Sequence, residues 1–114
     1  MMPPHPTIDQ ISLPNVLAVL GDHTRLAILG DLARREGTAL TCSNFIDLAS
    51  KSNLSYHFAK MREAGIIRVE PSGTSRLITL RRDDLDARFP GLLDSIIATA
   101  ITLPPPEKRV AANT

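Results

Sequence analysis

The side chains best suited to chemistry lie between Lys51 and Lys60. There are hydroxyls at Ser52 and Ser55, an amide at Asn53, a phenol at Tyr56 and an ammonium group at each end. No spacing here sets a nucleophile against a base. The set is instead a row of hydrogen-bond donors and acceptors flanked by positive charge, which suits polar edges lying beside a polyanion. An asparagine pairs with adenine edges, a serine serves several acceptors, a tyrosine reaches a phosphate or a thymine methyl, and lysines neutralise phosphates. At about 100° per residue, Leu54, Phe58 and Met61 share one face of a helix with His57 at its flank. Ser52, Tyr56, Ala59 and Glu63 fall opposite, and Asn53, Ser55 and Lys60 occupy the sides. One face anchors the helix and the other is left to enter a groove of double-stranded DNA. Lys51, Ser52, Asn53, Ser55, Tyr56 and Lys60 are the expected contacts, with Ser52 as the cap and Ala64–Gly65 as the stop. His57 is read as structural rather than as a metal ligand or catalytic group.

The neighbouring elements must hold that helix in place. Leu13, Val16, Leu17 and Leu20 recur at helical spacing with Pro14 in the first turn and Gly21 at the end. Asp22 is placed to cap a second helix carrying Leu26, Ile28, Leu29 and Leu32, with Arg34 and Arg35 at its negative end. A short third helix is predicted from Ser43 to Ala49, burying Phe45, Ile46 and Leu48. After Gly65 the period changes: residues 66–70 and 76–80 are β-prone, and Pro71-Ser72-Gly73-Thr74-Ser75 is turn chemistry. This hairpin, residues 66–80, adds Arg68 and Arg76 to the expected DNA contacts, with a Gly73-Thr74 tip that could enter or ride over the minor groove. A polar helical segment (81–89) and a closing apolar helix follow. The order predicts a mainly α protein with a small β-hairpin, a winged helix-turn-helix, over residues 9–103. Residues 1–8, with three prolines, read as a loose arm, and 104–114 as a proline-rich tail.

Composition bounds the alternatives. The 114 residues suit one domain, and 22% charged with 43% hydrophobic residues is ordinary for a soluble protein. The net charge of +1 conceals a bias: Lys51 to Arg82 holds seven bases against two acids. That is a local polyanion footprint. A single cysteine, Cys42, forbids an intrachain disulfide and fits a reducing cytoplasmic compartment. No apolar run approaches the ~20 residues of a membrane span, and residues 1–10 lack the features of a secretory signal. There is no phosphate-cradling glycine loop, and Asp83, Asp84 and Asp86 suit the N-terminal turn of a helix. No enzyme is expected, and no cofactor.

The runs Leu20-Gly21-Asp22, Thr24-Arg25-Leu26-Ala27-Ile28-Leu29, Ser52-Asn53-Leu54-Ser55-Tyr56-His57-Phe58 and Arg62-Glu63-Ala64-Gly65-Ile66-Ile67 resemble those of the arsenic-repressor (ArsR/SmtB-type) winged-helix regulators. The likeness covers roughly residues 13–100. It implies a homodimer, built from the first and last helices, that represses transcription until a signal releases it. Leu13, Val16 and Leu17 would then meet the partner, together with Leu92, Leu93, Ile96, Ile97 and Ile101. The latter five already exceed what one amphipathic stripe would hide. The family's metal motifs are missing. Leu40 and Asn44 stand two residues either side of Cys42, and residues 92–103 hold no histidine and only Asp94 as an acid. A divalent metal needs about four placed ligands, so no metal is expected, and any small-molecule effector is unidentified. Cys42 is a candidate oxidant sensor if exposed and of low pKa, against the plainer reading of a buried inert thiol.

Overall fold

The computed structural model describes residues 4–104. A 3-10 turn at Ile8–Gln10 leads into α1 (Leu13–Leu20) and α2 (His23–Arg34), and a second 3-10 turn at Cys42–Phe45 precedes α3 (Lys51–Glu63). Strands β1 (Ile67–Ser72) and β2 (Ser75–Leu80) form an antiparallel hairpin, followed by α4 (Arg82–Arg88) and α5 (Leu92–Ala100). The architecture is mainly helical with one hairpin after the first three α-helices, as in a winged helix-turn-helix.

Capping chemistry sets the helix starts. The Ser12 hydroxyl accepts from the Asn15 amide at 3.3 Å, and the Asp22 carboxylate accepts from the Arg25 amide at 3.0 Å; each satisfies an N–H that the first turn leaves orphaned. For α3 the cap is Ser50, not Ser52. Its Oγ accepts from the Asn53 amide at 3.3 Å, and Leu54 N–H closes on the Ser50 carbonyl at 2.8 Å. Both serines offer the same hydroxyl. Burial of Leu48 and Ala49 directly before Ser50 leaves that residue as the junction, and Ser52 moves into the first turn.

The short helix predicted over 43–49 contracts to the 3-10 turn. Asn44 N–H bonds the Thr41 carbonyl at 3.0 Å in that turn. Just beyond it, a further i→i+3 bond from Leu48 N–H to the Phe45 carbonyl at 2.9 Å links Phe45 and Leu48. Both are buried, whereas Ile46, expected in the core, is 61% exposed.

The exit from α3 is a Schellman turn. Gly65 has φ +82°, Ile66 N–H returns to the Met61 carbonyl at 2.9 Å and Gly65 N–H to Arg62 at 3.0 Å. A Cβ at Gly65 would also lie 2.5 Å from Ile11 Cγ1. In the hairpin Val69 pairs with Ile78 and Pro71 with Arg76, and Gly73 (φ +60°) turns the two-residue tip. Ile78 N–H bonds the Leu40 carbonyl at 2.8 Å, tying the free edge of β2 to the body.

The core gathers Ile28 and Leu29 of α2, Phe45 and Leu48, Leu54, Phe58 and Met61 of α3, and Ile67 and Ile78 of the hairpin. Phe45 and Phe58 meet edge-to-face with centroids 5.4 Å apart, a geometry the ring quadrupoles favour. Val16 (2% exposed) and Leu93 (3%) also belong to this core. Both were expected at a dimer interface, but helix packing within one protomer already consumes them. Leu13, Leu17 and Ile101 remain exposed, and Leu92, Ile96 and Ile97 are half-buried.

The described part of the N-terminal arm is anchored at two points. Val69 N–H donates to His5 Nε2 at 3.0 Å, and Arg81 donates to the Pro6 carbonyl at 2.8 Å. The predicted C-terminal tail lies outside the described residues except for Pro104, whose carbonyl is 3.1 Å from His23 Nε2.

Candidate nucleic-acid interface

α3 displays the polar row that its sequence promises. Leu54, Phe58 and Met61 are buried, while Lys51, Ser52, Asn53, Ser55, Tyr56, Ala59 and Lys60 are exposed. Tyr56 is 56% exposed, a large aromatic surface for a residue whose helix has a full apolar face beneath it. Lys60 Nζ stands 5.6 Å from the centre of the Tyr56 ring, and the ring meets His57 edge-on at 5.5 Å. The ammonium is drawn to the negative ring face, so Tyr56 and Lys60 form one unit that presents a phenol and a cation together.

The helix is fixed at its middle by a contact that only tertiary structure creates. Arg25 donates from Nε to the Val19 carbonyl, and its terminal nitrogen lies 3.0 Å from His57 Nδ1. Asp22 Oδ2 is 3.9 Å from the same imidazole nitrogen. One guanidinium thereby joins the end of α1, the start of α2 and the exposed helix. Because Arg25 can only donate, Nδ1 must accept, which puts the imidazole proton on Nε2. Burial holds the His57 pKa below its ordinary value; Asp22 opposes that shift and Arg25 adds to it. His57 thus acts through Arg25 as a positioning group. Nothing in the sequence pairs residues 25 and 57.

The hairpin splits the two arginines assigned to it. Register puts Arg76, Val69 and Ile78 on the face that packs toward α3, and Arg68 and Thr79 on the other. Arg76 lines a cleft with Ser55 and Glu63 of α3. Arg68 instead pairs with Asp84 of α4 at 3.5 Å, on the face away from the recognition row. The expectation for Arg68 is corrected accordingly: an alternating strand cannot send residues 68 and 76 to one side in this register.

Much of the basic segment proves to be structural. Arg81 is buried, bonding Asp84 at 2.8 Å and the Pro6 carbonyl. Arg82 bridges Glu36 and Asp94, each at 2.8 Å, and these partners hold its guanidinium well above the usual pKa. Arg62, which the sequence placed in no role, is 6% exposed. Lys51, Lys60 and Arg76 make no ion pair among the described residues. Three of the seven bases, Lys51, Lys60 and Arg76, thus stand exposed on α3 and the hairpin outside these structural pairs.

Cys42 is half-buried at the start of the 3-10 turn and lines the same cleft as Arg76. Among the described residues no group of three or more His, Cys, Asp or Glu could hold a metal ion, and no helix is long and apolar enough to cross a membrane.

Comparison with known proteins agrees with this geometry. Residues 20–70, from the end of α1 into β1, match a helix-turn-helix domain family. The chain is also 31% identical over 90 residues to the uncharacterized HTH-type transcriptional regulator YceK of Bacillus subtilis (strain 168), covering 77% of this chain and 88% of that one. The chain belongs to the helix-turn-helix family of transcriptional regulators.

Proposed function

We propose that this protein is a transcriptional repressor of the arsenic-repressor type, without metal sensing, that binds a near-palindromic operator as a homodimer. α3 lies in the major groove, with Asn53, Ser55 and Tyr56 against base edges, and Lys51, Ser52 and Lys60 against the backbone. Arg76 and the hairpin tip reach the flanking phosphates. Leu13, Leu17, Leu92, Ile96, Ile97 and Ile101 supply the apolar surface through which two copies join.

One observation carries the reading: the opening turns of α3 are exposed and polar on one side while the other side is fully buried. A helix that served only the core would have no cause to hold Tyr56 and Lys60 together in solvent. Two such helices related by a two-fold axis would sit about one turn of DNA apart, roughly 34 Å.

Selection of duplexes from a random library, followed by hydroxyl-radical footprinting, tests the proposal. Two protected half-sites about one helical turn apart are expected. Absence of any selected sequence, with affinity that scarcely responds to salt, would instead indicate a winged helix used as a protein-interaction module.

A further inference from the structure

The cleft between α3 and the hairpin is a cavity of about 250 Å³. Its walls are apolar: Phe58 and Ala59 from α3, Val69 and Ile78 from the hairpin, and the Cys42 side chain. Charge enters from Arg76 and Glu63, both exposed, while the Arg62 guanidinium behind them is buried and has a partner within the fold. Arg76 makes no ion pair among the described residues, in contrast to Arg68 across the strand.

These features define a ligand class. An apolar cavity of about 150 Å³ is enough for a benzene ring, so this cleft accommodates a single ring with a small polar group. Arg76, exposed and without an ion pair among the described residues, offers its charge to an anion, and a guanidinium holds a carboxylate through paired hydrogen bonds. We propose that the cleft is a binding site for a small monocyclic or branched aliphatic carboxylate, its body against Phe58, Val69 and Ile78 and its carboxylate on Arg76. Resting on the DNA-binding reading above, a consequence follows. Ser55 and Arg76 line the cavity and also belong to the proposed DNA-contacting set, so a seated carboxylate neutralises Arg76 and occupies the space beside Ser55. Ligand and DNA then weaken each other by the same factor, as linkage requires.

Benzoate serves as the probe, with benzamide and benzylamine as neutral and cationic controls. In 15N–1H correlation spectra of the DNA-free protein, benzoate should produce saturable shifts at the amides of Cys42, Ala59 and Val69, with at least about tenfold tighter binding than either control. Arg76→Ala should weaken benzoate by about tenfold. Ala59→Phe, at an exposed position, should fill the cleft and abolish the shifts while the rest of the spectrum stays that of a folded protein. Saturable shifts elsewhere, none at these amides, or equal binding of benzamide would overturn the site. Anisotropy with a labelled random-sequence duplex, at ionic strength matched by sodium chloride, then reads the coupling. Weaker DNA binding at saturating benzoate is expected, and unchanged DNA affinity with benzoate bound would overturn the exclusion. A protein that binds benzoate but no duplex would refute the DNA-binding reading and leave the cleft assigned.

Discussion

Single side chains divide into readers, anchors and positioners. Tyr56 and Asn53 are the proposed readers. Replacing either with alanine should cost about 1–3 kcal/mol of discrimination between a selected duplex and a scrambled one, measured by competition anisotropy. Lys60→Ala should weaken both duplexes alike and lower the slope of log affinity against log salt by about 1. His57 and His5 position rather than read, and both have pKa values held below the ordinary 6.5, chiefly by burial, with Arg62, Arg68 and Arg81 adding to the effect at His5. A depressed imidazole pKa means that the unfolded chain binds the proton more readily. The contribution of each histidine is thus fully present above pH 6.5 and is lost as pH falls through its folded value. Urea denaturation from pH 7.5 down to 5 should show stability falling below about pH 6.5, more shallowly in His57→Gln and His5→Gln, whose amide oxygens still accept. An unchanged slope in both variants would remove the histidines from this account. The exposed polar row of α3 was legible in the sequence because period and residue type coincide there. The Arg25–His57 contact was not, since it joins residues 32 positions apart that no local pattern links.

Among the elements, starts and stops were legible wherever one residue dictates them. Asp22 caps α2 and Gly65 ends α3, each by chemistry that no neighbour duplicates. Where two residues could do the same work, tertiary packing decided: Ser50 took the cap from Ser52. Burial of Phe45 and Leu48 accompanies a 3-10 turn at Cys42–Phe45 where a helix was expected. Strand register likewise separated Arg68 from Arg76, because alternation is visible in sequence but the facing partner is not. Gly65 is the element-scale test. Alanine there would hold φ +82° against its preference and drive Cβ into Ile11. A loss of about 2–4 kcal/mol is expected in chemical denaturation. A loss below about 1 kcal/mol would show that Ile11 yields freely and that the turn does not fix the angle between α3 and the hairpin.

For the whole molecule, two sets of side chains matter: the row on α3 and the apolar residues that α1 and α5 leave exposed or half-buried after Val16 and Leu93 enter the core. Charge counting across residues 51–82 pointed to the first set but overstated it, because Arg68 and Arg81 tie the hairpin and arm to α4, and Arg82 ties α4 to Glu36 and to Asp94 of α5. Dimerisation is a prediction at this scale. Leu17→Asp, at a 48% exposed position, should convert a dimer to a monomer in sedimentation equilibrium without unfolding it, whereas an unchanged mass would move the interface elsewhere. Weakened operator binding is then expected even with α3 intact. The most direct test of the central claim is the affinity of the wild type, Asn53→Ala and Tyr56→Ala for a selected duplex and its scrambled counterpart across a salt series. Steep salt dependence is expected for all three proteins, with the preference for the selected duplex reduced by about 1–3 kcal/mol in the two variants alone. Full preference retained in both variants would contradict the claim, for the opening turns of α3 would then not be what meets the bases.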